Sequence, residues 1–185
     1  MLKTKVKISQ ITNLTDARYF AAMGVDYLGF TIHPDSEAFV SPPQLKEMVE
    51  WVEGPEIVLE SSAIIDKGWL GNYQSFISDY YLESDLVALQ PDFLRITNPD
   101  IPVQDQECFV IYQSAVPWNQ QKSTIKQLIE IYQDRLFLDL PFSTEELNEV
   151  ISEGAYGLVL RGGQEEKIGY KSYDDLDEIF DFLLD

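Results

Sequence analysis

Short runs of β-branched and aromatic residues alternate along the chain with longer stretches in which apolar residues recur at i, i+3, i+4 and i+7. The first pattern is typical of strands and the second of amphipathic helices. Helical spacing is clearest around Leu45–Val52, Ile125–Tyr132, Leu147–Ile151 and Leu176–Leu183. Eight strands are predicted, at Lys5–Ile11, Tyr27–Ile32, Ile57–Ser61, Tyr80–Glu83, Phe93–Thr97, Phe109–Gln113, Leu136–Leu140 and Gly157–Leu160.

Eight strands, each followed by a helix or its substitute, predict an α/β fold of the (β/α)8 TIM barrel type, as a single domain over residues 1–185. Pro99 and Pro102 prevent an ordinary helix in the segment Asn98–Gln106, so the crossover between strands 5 and 6 is predicted to be non-helical. Barrels typically have about 250 residues, which implies trimmed loops here. A doubly wound open sheet is the structural alternative.

The charge balance narrows the function classes. The chain has 13 Lys and Arg against 32 Asp and Glu, a formal net charge of −19. We expect neither nucleic acid nor membrane as a partner, because both are anionic and attract cationic surfaces. In addition, no apolar run reaches the roughly 18 residues of a membrane span. Cys108 is the single cysteine, so an intrachain disulfide and a cysteine cluster for zinc or iron–sulfur are excluded. We expect no cofactor and no metal. We expect a cytoplasmic monomer or homodimer that takes a small-molecule or phosphorylated ligand.

Three sequence blocks carry a family resemblance. Residues 6–17 read VKISQITNLTDA and resemble the first strand of the phosphoribosylanthranilate isomerase family, V-K-I-C-G-I-T-N-x-x-D-A. Residues 24–30, GVDYLGF, followed by SP at 41–42, resemble that family's second block, G-A-D-x-x-G-F with a later (I/V)-S-P. A third and weaker match is LRGGQE at 160–165. The resemblance implies a TIM barrel that catalyses an Amadori isomerisation in tryptophan biosynthesis.

The family's catalytic positions are replaced in this sequence. Its base, the Cys of K-I-C-G, corresponds to Ser9, and its acid, an Asp at the end of the sixth strand, corresponds to Gln113. Its substrate-binding Arg corresponds to Ala38. A serine hydroxyl acts as a base only when a neighbour accepts its proton, and an amide has no transferable proton. His33 and Asp139 are the candidate substitutes in a substrate site.

The phosphate site implied by the resemblance is retained only in part. Arg161, Gly162 and Gly163 follow the eighth strand and are the candidate phosphate-binding residues. After the seventh strand, Pro141 has no N–H to donate, and Asp139 before it would repel a phosphate dianion. The sixth-strand loop, long in the family, is cut to Ala115–Gln121.

The mouth of a TIM barrel is lined by the carboxyl ends of its strands. Glu60, Glu83 and Asp139 lie at such ends, and two hypotheses are that they hold a hard cation or form an acid–base pair. Because carboxylates are mostly exposed, the simpler expectation is that they are solvated at the rim. The predicted mouth consists of Ser9, Gln10, His33, Glu60, Glu83, Arg95, Gln113, Asp139 and Arg161.

Two functions from different classes follow. The favoured hypothesis is a family homologue that has lost the isomerisation and serves as a binding or regulatory protein. The alternative is an active enzyme, which either isomerises N-(5'-phosphoribosyl)anthranilate through substitute residues or performs a new small-molecule reaction at the acidic mouth.

Overall fold

The computed structural model describes residues 1–100, 103, 107–161 and 173–184. All eight predicted strands form, and they close into a parallel barrel in the order β1 to β8. This confirms the TIM barrel and excludes the open sheet. The strands are β1 Lys5–Ser9, β2 Tyr27–Thr31, β3 Glu56–Ser61, β4 Tyr81–Ser84, β5 Phe93–Ile96, β6 Phe109–Gln113, β7 Leu136–Asp139 and β8 Gly157–Arg161.

Helices cover the outside of the barrel. Four coincide with the predicted apolar stretches, and α1 and α3 are additional to them. The helices are α1 Leu14–Ala22, α2 Pro42–Val49, α3 Lys67–Gln74, α4 Lys122–Tyr132, α5 Thr144–Ser152 and α6 Asp174–Leu183. Their termini use local side chains: Asn13 accepts a hydrogen bond from the Asp16 N–H at 2.9 Å, and Ser143 forms a capping box with Glu146.

Two crossovers contain no α-helix in their described residues. Between β4 and β5 the described chain forms only a 3₁₀ turn, Val87–Leu89. Between β5 and β6, residues 97–100, 103, 107 and 108 are not helical, in agreement with the prediction from the two prolines, and residues 101, 102 and 104–106 lie outside the described part. In the described residues, no helix combines the length and apolar character that crossing a bilayer requires.

Side chains alternate between the two faces of the barrel wall, and this separates two cores. Outward-facing residues such as Val6, Ile8 and Leu28 pack under the helices. Inward-facing residues such as Val58, Ile111 and Val159 form a smaller cluster inside the barrel. On β1, Lys7 and Ser9 have the inward parity and are buried, so two polar residues enter the barrel interior.

Candidate functional site

Aromatic rings fill the amino-terminal half of the barrel interior. Tyr27 stands edge-on to Phe93, with 5.2 Å between ring centroids, and Phe93 stacks on Phe109 at 4.8 Å. Phe137 and Tyr156 extend the cluster at 5.6 Å. Burial raises the pKa of Tyr27 to about 12, so its hydroxyl stays protonated. Since this end is packed with rings, the polar chemistry of the interior lies toward the carboxyl ends of the strands.

Lys7 is the deepest charged group in the interior and has no exposed surface. Its Nζ donates a hydrogen bond to Ser9 Oγ at 2.7 Å and to Glu60 Oε1 at 2.5 Å. It also lies 2.6 Å from Glu83 Oε2. Two hydrogen bonds and one ion-pair contact thus surround the ammonium group of Lys7 with oxygen atoms.

Gly29, on β2, makes room for this cluster. A Cβ at this position would lie 2.0 Å from Glu60 Oε1 and 2.8 Å from Lys7 Nζ. The glycine of the GVDYLGF block is therefore required by the space that a buried ion pair occupies, because any side chain would collide with it.

Arg95 connects Glu83 to Asp139. Its Nε donates to Glu83 Oε1 at 2.8 Å, Nη2 donates to the same oxygen, and Nη1 donates to Asp139 Oδ2 at 2.5 Å. Arg161 completes the chain with a bidentate pair to Asp139, at 2.7 Å to Oδ1 and 2.6 Å to Oδ2. We call this continuous set of alternating charges the mouth network; its members are Glu60, Lys7, Glu83, Arg95, Asp139 and Arg161.

The network holds two of its members, Glu83 and Arg95, in their charged forms. Burial by itself raises the pKa of Glu83, but attraction by Lys7 and then Arg95, together with their hydrogen bonds, more than offsets burial and holds the pKa below its ordinary value. Burial likewise opposes the charge of Arg95, whereas Glu83, Asp139 and Glu60 raise its pKa further above the normal range. Both groups are therefore charged at neutral pH.

The expectation that Glu60, Glu83 and Asp139 are solvated at the rim is wrong. Their exposed fractions are 6%, 3% and 4%, because their strands turn them inward, where cations neutralise them. The hard-cation hypothesis also loses support, because these carboxylates face ammonium and guanidinium groups. Among the described residues, no three His, Cys, Asp or Glu side chains are grouped as metal ligands.

A cavity of about 170 Å³ opens above the network. Five hydroxyl residues contribute to its wall, together with two glutamines and the charged side chains. It is lined by Gln10, Thr31, Ser36, Glu60, Ser61, Ser62, Glu83, Ser84, Asp85, Arg95, Gln113 and Arg161. Beside it lies a wider groove of about 810 Å³, which Gln113 and Arg161 also line.

The other predicted site residues are only partly brought together. Ser9 is 2% exposed and lies beneath the cavity beside Lys7, while Gln113 lines the cavity from the end of β6. His33 and Ala38 are in the loop after β2 and do not line the cavity. His33 Nε2 is 3.8 Å from Asp35 Oδ2. Gly162 and Gly163 lie outside the described residues.

Sequence reasoning missed Lys7 and the backbone of Gln10. Strand parity was the available signal for Lys7, since it lies two residues before Ser9 in β1 and shares its face. Gln10 has a left-handed φ of 60° and stands where the family motif has Gly. Its N–H donates to Glu60 Oε2 at 3.1 Å, so the unusual backbone helps to hold the network.

Comparisons with known proteins support the resemblance. No family model matches the chain. The N-(5'-phosphoribosyl)anthranilate isomerase of Nitrosomonas eutropha is 34% identical over 71 residues, 37% of this chain and 33% of that protein. The Aquifex aeolicus isomerase is 42% identical over 50 residues, 27% of this chain and 24% of that protein. The chain thus matches about a third or less of each curated relative.

The whole barrel resembles solved structures of the same family. The phosphoribosylanthranilate isomerase of Thermotoga maritima superposes with a TM-score of 0.68 and 21% identity, over 97% of this chain and 98% of that one. At this identity the likeness concerns the fold. The predicted resemblance to the phosphoribosylanthranilate isomerase family is confirmed.

Proposed function

We propose that this relative of the phosphoribosylanthranilate isomerases has lost the Amadori isomerisation and binds a small molecule as a binding or regulatory protein. The observation that supports the proposal is the mouth network, in which each buried carboxylate contacts a lysine or arginine. A general acid or base has to exchange a proton near the working pH. These carboxylates are committed to their ion pairs.

The position of the family's base argues against proton abstraction. Ser9 Oγ accepts a hydrogen bond from the Lys7 ammonium, and a protonated ammonium group cannot take the proton of the serine. Glu60, the next acceptor, is already bound by Lys7 and by the Gln10 N–H. His33, the predicted substitute, does not line the cavity. Ser9 therefore has no partner for base catalysis in the described residues.

The position of the family's acid argues in the same direction. Gln113 faces the cavity with an amide, which has no proton to transfer. Asp139 lies across the same region, but both of its carboxylate oxygens already accept hydrogen bonds from Arg95 and Arg161. Each proton transfer typically contributes about 10²–10⁴-fold to rate, so the loss of both removes most of the catalysis.

A phosphorylated substrate is also poorly matched to this mouth. Arg161, predicted to bind phosphate, is held by Asp139, and a phosphate there would approach that carboxylate. The predicted contribution of Gly162 and Gly163 stays a prediction. We infer a cytoplasmic monomer or homodimer whose ligand enters through the carboxyl end of the barrel.

The alternative is a working isomerase, and one observation favours it: the curated relatives that match segments of the chain are both isomerases by name. Complementation separates the two. The wild-type chain and the triple variant Ser9→Cys/Ala38→Arg/Gln113→Asp are expressed in a tryptophan auxotroph that lacks phosphoribosylanthranilate isomerase, and growth without tryptophan is scored. We expect no growth with the wild-type chain.

The triple variant tests whether restoring the family's three residues restores the isomerisation. Rescue by the variant alone would mean that the barrel retains substrate binding and lost only its chemistry. Failure of both proteins, with folded protein verified by circular dichroism, would mean that the pocket has been remade. Growth with the wild-type chain would overturn the proposal and direct attention to His33 and Asp139 as substitute groups.

A further inference from the structure

The cavity above the mouth network has hydrogen-bonding groups but no uncommitted buried charge. Below and around it, three cations and three carboxylates bind one another in one continuous chain. The remaining ionised group in its wall is Asp85, which is exposed. An anionic ligand would meet this carboxylate and the field of a chain with net charge −19.

Apart from the exposed Asp85, the groups that remain available in the described wall of the cavity are neutral. Ser84 Oγ accepts from the Leu86 N–H at 3.1 Å, and within the described residues its own proton has no acceptor. The side-chain amides of Gln10 and Gln113 have no hydrogen-bond partner in the described part of the chain either. An amide and a hydroxyl each donate and accept, so together they complement a ligand that does the same.

The size of the cavity sets a second limit. At about 170 Å³ it is smaller than the roughly 300–1,000 Å³ of drug-sized sites, so it admits one compact group. The wider groove shares Gln113 and Arg161 with it and leaves space for a substituent on that group.

We propose that this cavity binds a small, uncharged polyhydroxylated molecule, of the sugar or polyol class, through Ser84, Gln113 and Gln10. This inference rests on the proposed binding function and assigns its ligand class. A hydroxyl group supplies a donor and an acceptor without carrying charge into the ion-pair chain. An anionic ligand would have to displace a buried pair or leave its own charge poorly compensated. A cationic ligand would find, outside the ion-pair chain, only the exposed carboxylate of Asp85 in the described wall of the cavity.

The test compares molecules that share a carbon skeleton and differ in charge. Binding of D-glucose, D-ribose and myo-inositol to the full chain is measured by saturation-transfer NMR and calorimetry. The charged analogues are gluconate, glucose 6-phosphate and glucosamine for glucose, ribose 5-phosphate for ribose and inositol 1-phosphate for myo-inositol. We expect at least one neutral member to bind and each of its charged analogues to bind about tenfold more weakly or worse, which corresponds to about 1.4 kcal/mol.

Variants connect the binding to this cavity. Gln113→Ala and Ser84→Ala should each weaken the neutral ligand about 3–10-fold, since each removes one hydrogen bond between neutral groups. Gln127→Ala and Ser123→Ala are the matched controls, because both residues are exposed on α4 outside the barrel. Thermal unfolding shows whether each cavity variant is folded. Because there are two cavity variants, one can still be scored if the other fails to fold.

Three results would overturn the inference: no binding by any neutral member, tighter binding by a charged analogue, or binding that neither cavity variant weakens. Turnover of N-(5'-phosphoribosyl)anthranilate is assayed in parallel. Turnover would refute the proposed function, whereas a chain without turnover that prefers the phosphorylated sugar would refute only the assignment of ligand class.

Discussion

Lys7 and Glu60 form a buried ion pair inside the barrel, with 2.5 Å between Nζ and Oε1 and exposed side-chain fractions of 0% and 8%. The pair is the inner end of a chain of charges that reaches Arg161 at the mouth. A buried charge that loses its partner costs far more than a buried pair contributes. Substitutions along this chain should therefore have larger effects on stability than similar substitutions at the surface.

Replacement of Lys7 tests that difference directly. Lys7→Met leaves Glu60 and Glu83 without their ammonium partner, and we expect the free energy of unfolding to fall by about 3–5 kcal/mol. Lys5→Met is the matched control, two residues earlier in β1, where Lys5 pairs with Asp26 with 46% of its side chain exposed. There we expect about 0–1 kcal/mol. Urea unfolding measures both, and equal losses would contradict the buried network.

Gly29 should not tolerate a methyl group. In Gly29→Ala the new Cβ would lie 2.0 Å from Glu60 Oε1, so we expect a loss of about 1–3 kcal/mol from overpacking. Gly71→Ala, on α3, has no atom within 4 Å of the added carbon and should instead gain about 0.5–1 kcal/mol, as Ala favours a helix over Gly. Chemical denaturation of the two variants gives the sign of each change. An unchanged Gly29→Ala protein would mean that the pair lies elsewhere.

Acid should weaken the fold partly through Glu83. Its pKa lies below the ordinary value of 4.5 in the folded protein, so the ionised form stabilises the fold at higher pH. That stabilisation is complete above pH 4.5 and is lost as the pH falls through the folded pKa. Glu83→Gln should lower stability at neutral pH by about 3–5 kcal/mol and flatten the dependence of unfolding free energy on pH below about 4.5.

The control for this titration is an ion pair at the surface. Glu149 also has a lowered pKa, through hydrogen bonds from Lys122 and Trp118, but 42% of its side chain is exposed. Glu149→Gln should change the dependence of unfolding free energy on pH below about 4.5 less than Glu83→Gln does. Thermal unfolding followed from pH 7 to pH 2 compares the two, and parallel curves for wild type and Glu83→Gln would refute the assignment.

The backbone at Gln10 stores strain that glycine would relieve. Gln10 has a φ of 60°, so Gln10→Gly removes a close contact between Cβ and the backbone. The free energy gained in the folded protein exceeds the free-energy cost of the more flexible unfolded chain. We expect a net stabilisation of about 0.5–1 kcal/mol. The same substitution at Gln127, inside α4, should destabilise by about 0.5–1 kcal/mol. Calorimetric melting temperatures that fall for both variants would contradict the left-handed geometry.

Local patterns in the sequence determined most of the architecture. Each strand and four of the helices follow from the periodicity of apolar residues. The repetition of eight strand–crossover units favoured a barrel but left an open sheet as the alternative, and closure was decided by the structure. Pro99 and Pro102 predicted a β5–β6 crossover without a helix, since proline removes a donor and restricts the backbone, and the described residues of the crossover agree. The blocks at residues 6–17 and 24–30 also identified the family resemblance, because short local motifs can be read without the fold.

The tertiary structure alone decided how the charges are paired. Their positions at strand ends placed Glu60, Glu83 and Asp139 at the mouth, but their burial depends on cations that arrive from β1, β5 and β8. The sequence separations are large: Lys7 and Glu60 are 53 positions apart, and Arg95 and Asp139 are 44 positions apart. Strand parity decides which side chains point inward, but only barrel closure brings six of them within hydrogen-bonding distance.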